Sequence, residues 1–329
     1  MMKAFQYDGA TIGVKEIPVP EPAAGQVLIA VEAAGLCHSD CTIVNGKGAW
    51  VSKTPITLGH EVAGTIVKIS PEITDFDIGD RVAIALVSHP LENANWSTTV
   101  GLGYDGGYAE FTLAYREHLV KIPTGVSFAQ AAVATDSIST AYHAVVAEAR
   151  VTSSTVVGII GLGGLGLNGV TIAALSGAQV YGFDINDKKF PDASKSGAIQ
   201  CFSRLSDASH IKFDVLIDFA GVGSTTTDAI SSVKVGGTVV LVGLGAAEMT
   251  VSTHTLVTRG VRLYGSIGAS LEELHSVLNL IDTRKITPLL EEIPFSTVRE
   301  GLERLDRNAA IGRLFTCPRR ETKPESNSA

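Results

Sequence analysis

Nowhere does the sequence hold an apolar run approaching the roughly 20 residues of a membrane-spanning helix, so no span is expected. Positive charge is in short supply. Against 34 Asp and Glu stand 26 Lys and Arg, a formal charge of -8, which makes nucleic acid and anionic membrane surfaces poor partners. Cysteine is scarce as well. Cys37, Cys41, Cys201 and Cys317 show no framework spacing, which excludes a disulfide-stapled scaffold and suits a reducing compartment. The first seven residues read as a strand and carry no signal-peptide h-region, so a cytoplasmic location is expected. No internal repeat is visible. With 45% apolar and only 18% charged residues, there is ample material for burial. A length of 329 residues exceeds one ordinary core and points to two domains.

What is present changes character along the chain. Short β-branched runs at 26–33, 61–70, 81–87, 108–113 and 118–122, separated by Gly, Pro and Asp, predict a β-rich first part. Ser127 and Gln130 then form a capping box that opens an alanine-rich helical stretch. From Val156, strands at 156–160, 180–183, 198–202, 214–219, 238–242 and 262–264 alternate with helical patterns. That alternation predicts an α/β doubly wound parallel sheet. An amphipathic helix over 271–283 follows, then β-like and helical pieces to Thr316. The polar tail, 318–329, reads as disordered.

The strand at 156–160 runs straight into Gly161-Leu162-Gly163-Gly164-Leu165-Gly166. In such a turn the first glycine permits the sharp bend, the second lets the backbone approach a pyrophosphate, and the third lets the helix pack on the strand. The N–H groups of the helix start, at Gly164 and Leu165, then face the phosphates with a positive dipole end. Asp184 closes the next apolar run, eighteen residues after Gly166, where a carboxylate can accept the adenine ribose hydroxyls. Strand, helix and acid together predict a dinucleotide site. The other reading, an ordinary strand–helix turn, leaves the acid's position unexplained.

A second set of chemically able residues lies earlier. Cys37 follows a strand, His60 opens another, and Asp136 falls just before the dinucleotide part. Thiolate, imidazole and carboxylate are the usual ligands of a catalytic zinc. By type alone these residues have ordinary readings too, since Cys at a strand end is often a small buried hydrophobe and a lone His a core residue.

Gly35-Leu36-Cys37-His38-Ser39-Asp40, Leu58-Gly59-His60-Glu61-Val62-Ala63-Gly64, Ile78-Gly79-Asp80-Arg81-Val82 and Gly106-Gly107-Tyr108-Ala109-Glu110 stand in this order ahead of the glycine turn. With them, the chain resembles the zinc-dependent alcohol dehydrogenases of the medium-chain dehydrogenase/reductase superfamily over nearly its whole length. The resemblance implies a GroES-like β-rich catalytic domain, residues 1–138 and 269–329, around a Rossmann NAD-binding domain, residues 139–268. It places Cys37, His60 and Asp136 as catalytic zinc ligands and Glu61 as a carboxylate able to approach the metal. Ser39 takes the position of the hydroxyl that binds the substrate oxygen.

Towards the cofactor, the resemblance puts Asp184 and Lys189 at the adenine ribose, His38 and Arg313 at the pyrophosphate, and Thr140 near the nicotinamide. Gly243 completes the cofactor-binding set. No Arg lies close to Asp184, so NAD is expected rather than NADP. Relatives with a structural zinc carry four close cysteines in the stretch that corresponds to 87–103, and here that stretch has none. One zinc site per chain is therefore expected. Thr42 stands where several relatives have a relay histidine. The implied reaction interconverts a small-molecule alcohol with an aldehyde or ketone by hydride transfer to or from NAD(H), in a homodimer or homotetramer. A zinc-independent enoyl or quinone reductase of the same superfamily is the alternative. Leu86, Trp50 and Trp96 are candidates to line the substrate pocket.

Overall fold

In the computed structural model, which describes residues 1–46 and 51–320, the ten-residue run Gln26–Gly35 is buried along most of its length. It draws a strand to each side. In chain order the strands are β1 (Met2–Tyr7), β2 (Ile12–Ile17), β3 (Gln26–Gly35), β4 (Ile56–Thr57), β5 (Glu61–Ile69), β6 (Arg81–Ile84), β7 (Phe111–Tyr115) and β8 (Leu119–Lys121). There follow β9 (Val156–Ile160), β10 (Gln179–Phe183), β11 (Gln200–Phe202), β12 (Val215–Asp218), β13 (Thr238–Leu241), β14 (Arg262–Gly265), β15 (Leu290–Ile293) and β16 (Arg313–Thr316). The chain divides into two compact units. One holds Met1–Asp136, Ser270–Asp282 and the chain from Leu289 on; the other holds Ser137–Ala269 and Thr283–Pro288.

The first unit is β-rich. Its larger sheet runs β15-β16-β3-β5-β6-β8, with β7 also paired to β3, and a smaller sheet runs β2-β1-β4. Alternate side chains of the central strands, among them Ile29, Val31, Ile66, Val82 and Ile84, meet in one core. β3 and β5 are antiparallel, with Gly35 opposite Glu61, and β16 lies on the other side of β3 with Phe315 opposite Gly35. These pairings join residues far apart in sequence, and they decide which side chains meet at the site below.

In the second unit β9 to β14 form a parallel sheet in the order β11-β10-β9-β12-β13-β14, the doubly wound order of dinucleotide-binding domains. Phe183 stacks on Phe202 and meets Phe213 edge-on, each pair with centroids 5.7 Å apart, which fills the core on one face. The glycine turn joins β9 to the helix Gly164–Leu175. Gly161 has φ +86°, which a side chain rarely adopts. A Cβ at Gly163 would meet nothing within 4 Å, whereas one at Gly166 would stand 1.7 Å from the Gly161 carbonyl oxygen. The three glycines thus serve three different needs: the bend, open space for a ligand, and contact of helix with strand.

The structure departs from the sequence pattern at three places. The strand expected from 108 begins at Phe111, because Tyr108 hydrogen-bonds other partners: its N–H donates to Leu58 and its carbonyl accepts from Phe5. The Ser127 capping box is present, but the helix Phe128–Val133 opens into a π-helical turn, Ala134–Ile138, that carries Asp136. The tail is ordered at its start: Arg319 bonds Glu32 and Arg320 bonds Glu292, each at 3.0 Å; residues 321–329 of the expected disordered tail lie outside the described residues. No helix among the described residues is long and apolar enough to cross a membrane.

Because the clash at Gly166 is with backbone, Gly166→Ala should lower stability by at least about 2 kcal/mol and reduce the melting temperature. Gly163→Ala should melt within a degree or two of the parent. Equal melting of both variants would mean that the helix does not sit tightly on β9.

Candidate active site

The end of β3 delivers Cys37 to the start of the helix His38–Val44. Asp40, in its first turn, reaches back to accept the Cys37 N–H at 3.2 Å, which fixes the loop carrying the sulfur. His60 is aimed by Gly59, whose φ of +94° turns the chain just before β5. Asp136 comes from the π turn, where the extra residue per turn rotates its side chain out of helical register.

Cys37, His60, Glu61 and Asp136 are all buried, and each offers one ligand atom within 4.8 Å of the others. Asp136 Oδ2 lies 3.5 Å from Cys37 Sγ and 3.6 Å from His60 Nε2. Metal–ligand lengths of about 2.0–2.3 Å in a tetrahedron separate neighbouring ligand atoms by about 3.3–3.8 Å, so these spacings fit a zinc-sized ion. Behind His60, Asp40 Oδ1 faces Nδ1 at 3.4 Å, and neither atom has a hydrogen-bond partner among the described residues. A carboxylate in that place leaves Nε2 as the free, ligating nitrogen. Asp40 is a functional residue the sequence reading missed, although its place three residues after the N-cap Cys37 was a usable signal.

Charge reinforces the fit. Arg313 is 3% exposed and lies against Glu61 with both Nε and Nη2; Nη2 is also 3.3 Å from Asp136 Oδ2. The guanidinium expected at a pyrophosphate is thus engaged by Glu61 and Asp136 in this structure. β16 is paired beside β3, and the register brings the guanidinium onto Glu61. Glu61 and Asp136 therefore share one guanidinium, while the third carboxylate, Asp40, faces His60 instead. Burial pulls the His60 imidazole down, but Asp40 and Asp136 outweigh it and hold its pKa well above the ordinary histidine value. Burial pushes Glu61 up to about 7 against the pull of Arg313. In the absence of a metal, a proton on His60 is what this site attracts, and a divalent cation is its natural replacement.

Ser39 Oγ stands 3.5 Å from Cys37 Sγ, at the edge of the cluster. Thr42 is turned away, its hydroxyl donating to the His38 carbonyl. The His38 ring is exposed and places Nε2 2.9 Å from the Leu305 carbonyl oxygen, within the first unit. Leu86 is buried, Trp96 is exposed, and Trp50 lies outside the described residues.

In the second unit Asp184 accepts the Leu162 N–H at 2.8 Å and Lys189 Nζ at 2.9 Å on Oδ2, and the Asn186 N–H at 2.8 Å on Oδ1. The acid is thus fixed to the glycine turn itself. Lys189, expected at the ribose, is buried against the acid. Gly243 lies close on the backbone of Ala220 and Gly221, where a Cβ would clash at 2.4 Å. Thr140 is buried in the helix Ser139–Tyr142.

Two family models match: the alcohol dehydrogenase GroES-like domain over residues 23–124 and the zinc-binding dehydrogenase over 164–283. An alcohol dehydrogenase of Geobacillus stearothermophilus is 30% identical over 326 residues, covering 92% of this chain and 94% of the relative. An NAD-dependent alcohol dehydrogenase of Sulfurisphaera tokodaii is 29% identical, covering 94% and 97%. Among solved structures, acetophenone reductase from Geotrichum candidum NBRC 4597 in complex with NAD matches with a TM-score of 0.90. Its identity is 31%, over 96% of this chain and 97% of that one. The alcohol dehydrogenase of Aeropyrum pernix matches at 0.89 and 25% identity, over 96% and 100%.

Asp184 makes the choice of dinucleotide testable. A 2′-phosphate set beside this carboxylate meets like charge and loses a hydrogen bond, so NAD should be preferred by at least about 2 kcal/mol, roughly thirtyfold in kcat/KM. Asp184→Ser should narrow the gap. Equal turnover with NADP would contradict the assignment.

Proposed function

The chain belongs to the zinc-dependent alcohol dehydrogenases of the medium-chain dehydrogenase/reductase superfamily, and we propose that its buried cluster is the catalytic zinc site of an NAD-dependent alcohol dehydrogenase. The observation that carries this reading is the tetrahedral spacing of Cys37, His60 and Asp136, backed by Asp40 on the far side of the imidazole. Those three residues would hold the ion. Glu61, held by Arg313, stands by as a fourth oxygen donor. A zinc ion there supplies Lewis-acid polarisation of the substrate oxygen. The cluster argues against the zinc-independent enoyl or quinone reductase.

The chain's own residues divide the remaining work. Ser39, beside the cluster, accepts the alcohol's proton in oxidation and returns it in reduction. Asp40 keeps the His60 tautomer that points Nε2 to the ion. Gly163, Gly164 and Leu165 leave backbone N–H groups open to the pyrophosphate, and Asp184 receives the ribose hydroxyls. The products of the two directions are an aldehyde or ketone with NADH, and an alcohol with NAD. The relative that reduces acetophenone makes aryl ketones and their secondary alcohols the first substrates to assay.

A single zinc per chain is part of this proposal. No cysteine occurs in residues 87–103, and the neighbouring segment is held by protein groups, with Asp105 accepting the Thr57 N–H at 2.7 Å and Lys53 Nζ at 2.6 Å. The four free thiols suit a cytoplasmic setting, which cell fractionation would check. The expected assembly is a homodimer or homotetramer, for which the outer edge of β14, with Tyr264 exposed, is the candidate contact; a monomer by light scattering would refute it.

Metal analysis of freshly purified protein should give one zinc per chain, lost in Cys37→Ser; two zincs, or none with retained reductase activity, would overturn the site. Ser39→Ala should keep zinc and NAD yet lose about 10²–10⁴-fold in turnover. Raising the pH should partly restore the loss, because the alcohol then ionises with less help. Full activity across pH would remove Ser39 from the proton path.

A further inference from the structure

Building on the reading of Cys37, His60 and Asp136 as metal ligands, we propose that Tyr108 is a positioning residue of the metal site, setting His60 through Asp40 and through the backbone that precedes it. Tyr108 belongs to the Gly-Gly-Tyr-Ala-Glu motif, which the reaction as described leaves without a task. It is fully buried, and it holds the histidine from two sides.

The first hold is on the backbone. The Tyr108 N–H donates to the Leu58 carbonyl at 3.0 Å, and the Gly107 N–H donates to the Gly59 carbonyl at 2.7 Å. The tyrosine ring lies on Gly59 so closely that a Cβ there would stand 2.6 Å from Cδ1. The left-handed turn that aims His60 is therefore shaped against this ring.

The second hold runs through the hydroxyl. Its one proton has two acceptors in reach, Asp40 Oδ2 at 2.7 Å and the Gly35 carbonyl at 3.1 Å. The carboxylate is nearer and charged, so it is the stronger acceptor. Oδ2 also takes the Cys37 N–H at 3.2 Å. With Oδ2 fixed by two donors, the plane of the carboxylate is set and Oδ1 is left facing His60 Nδ1 at 3.4 Å. That contact keeps the imidazole proton on Nδ1 and frees Nε2 for the ion. One tyrosine hydroxyl thus fixes the carboxylate that fixes the ligand.

Tyr108→Phe keeps the ring and both backbone bonds and removes only the hydroxyl. The measurement is the rate at which the zinc-loaded protein gives up its metal to a chromogenic chelator, followed by the visible spectrum of the cobalt-substituted protein. Tyr108→Phe should release zinc about tenfold faster and show a weakened tetrahedral cobalt band, the lower end of what loss of a metal site's supporting hydrogen bond costs. Tyr104→Phe is the control: its buried hydroxyl has no hydrogen-bond partner among the described residues, and its release rate should match the parent. In an Asp40→Asn background, where the amide breaks the link to Nδ1, Tyr108→Phe should add nothing. Parental release by Tyr108→Phe, an equal effect of Tyr104→Phe, or a full extra effect on top of Asp40→Asn would each overturn the proposal. So would failure of Tyr108→Phe to fold, which would make the hydroxyl a fold requirement. A parent protein that holds no zinc would instead remove the metal reading itself.

Discussion

Gly35 faces Glu61 on β5 and Phe315 on β16, and the Glu61 carboxylate lies where a Cβ on Gly35 would be, 1.9 Å from Oε2. Only a residue without a side chain lets the acid fold over β3 in this way. Two residues before Phe315 along β16, Arg313 reaches the same carboxylate. The same stretch of β3 leads directly into Cys37. A change of register by one residue would send Glu61 or Arg313 to the opposite face and take the cluster apart. The sheet pairing is thus the frame on which sulfur, imidazole and carboxylates are hung.

Burying so many ionisable groups costs stability unless each finds a partner. The comparison with Asp218, also fully buried, is instructive. It accepts the Ala220 and Gly221 N–H groups at 2.9 Å each and the hydroxyls of Thr225 and Thr226 at 2.6 and 2.7 Å, so its charge is satisfied by neutral donors. Asp184 is satisfied by two N–H groups and Lys189. The cluster around Cys37 lacks such completion. Its acceptors outnumber its donors, and Arg313 covers only part of the excess. A divalent cation would resolve both the charge and the unfilled lone pairs, a need that the other two buried acids, already met by protein donors, do not share.

The dinucleotide turn works by a different economy of form. Its glycines leave a stretch without side chains, as a phosphate-binding turn requires, and Asp184 is tied to Leu162, which fixes the acid to the turn. Around Asp136 the irregularity is of backbone instead. The capped helix Phe128–Val133 gives way to a π turn at the residue that must face the cluster, a departure from regular helix common at functional positions.

Several of these features were written plainly in the sequence. The glycine spacing and the acid after the next strand are local patterns, and local patterns of strand, turn and helix are governed by neighbours in the chain. The six strands of the parallel sheet followed from apolar runs for the same reason. The residue types of the proposed metal site were visible as well, and the structure brings Cys37, His60, Glu61 and Asp136 together. What the sequence did not disclose was partnership. Beside its expected place at a phosphate, Arg313 lies on Glu61; beside its expected place at the ribose, Lys189 lies on Asp184; Asp40 and Tyr108, close to His60, passed without notice. Of these, Lys189 sits only five residues from its partner, and its buried position decided the outcome. The others depend on strands and loops brought together from 20 to 252 residues apart. Such pairings are set by sheet register and core packing, which are properties of the folded whole, because no short segment of chain contains both halves of the contact.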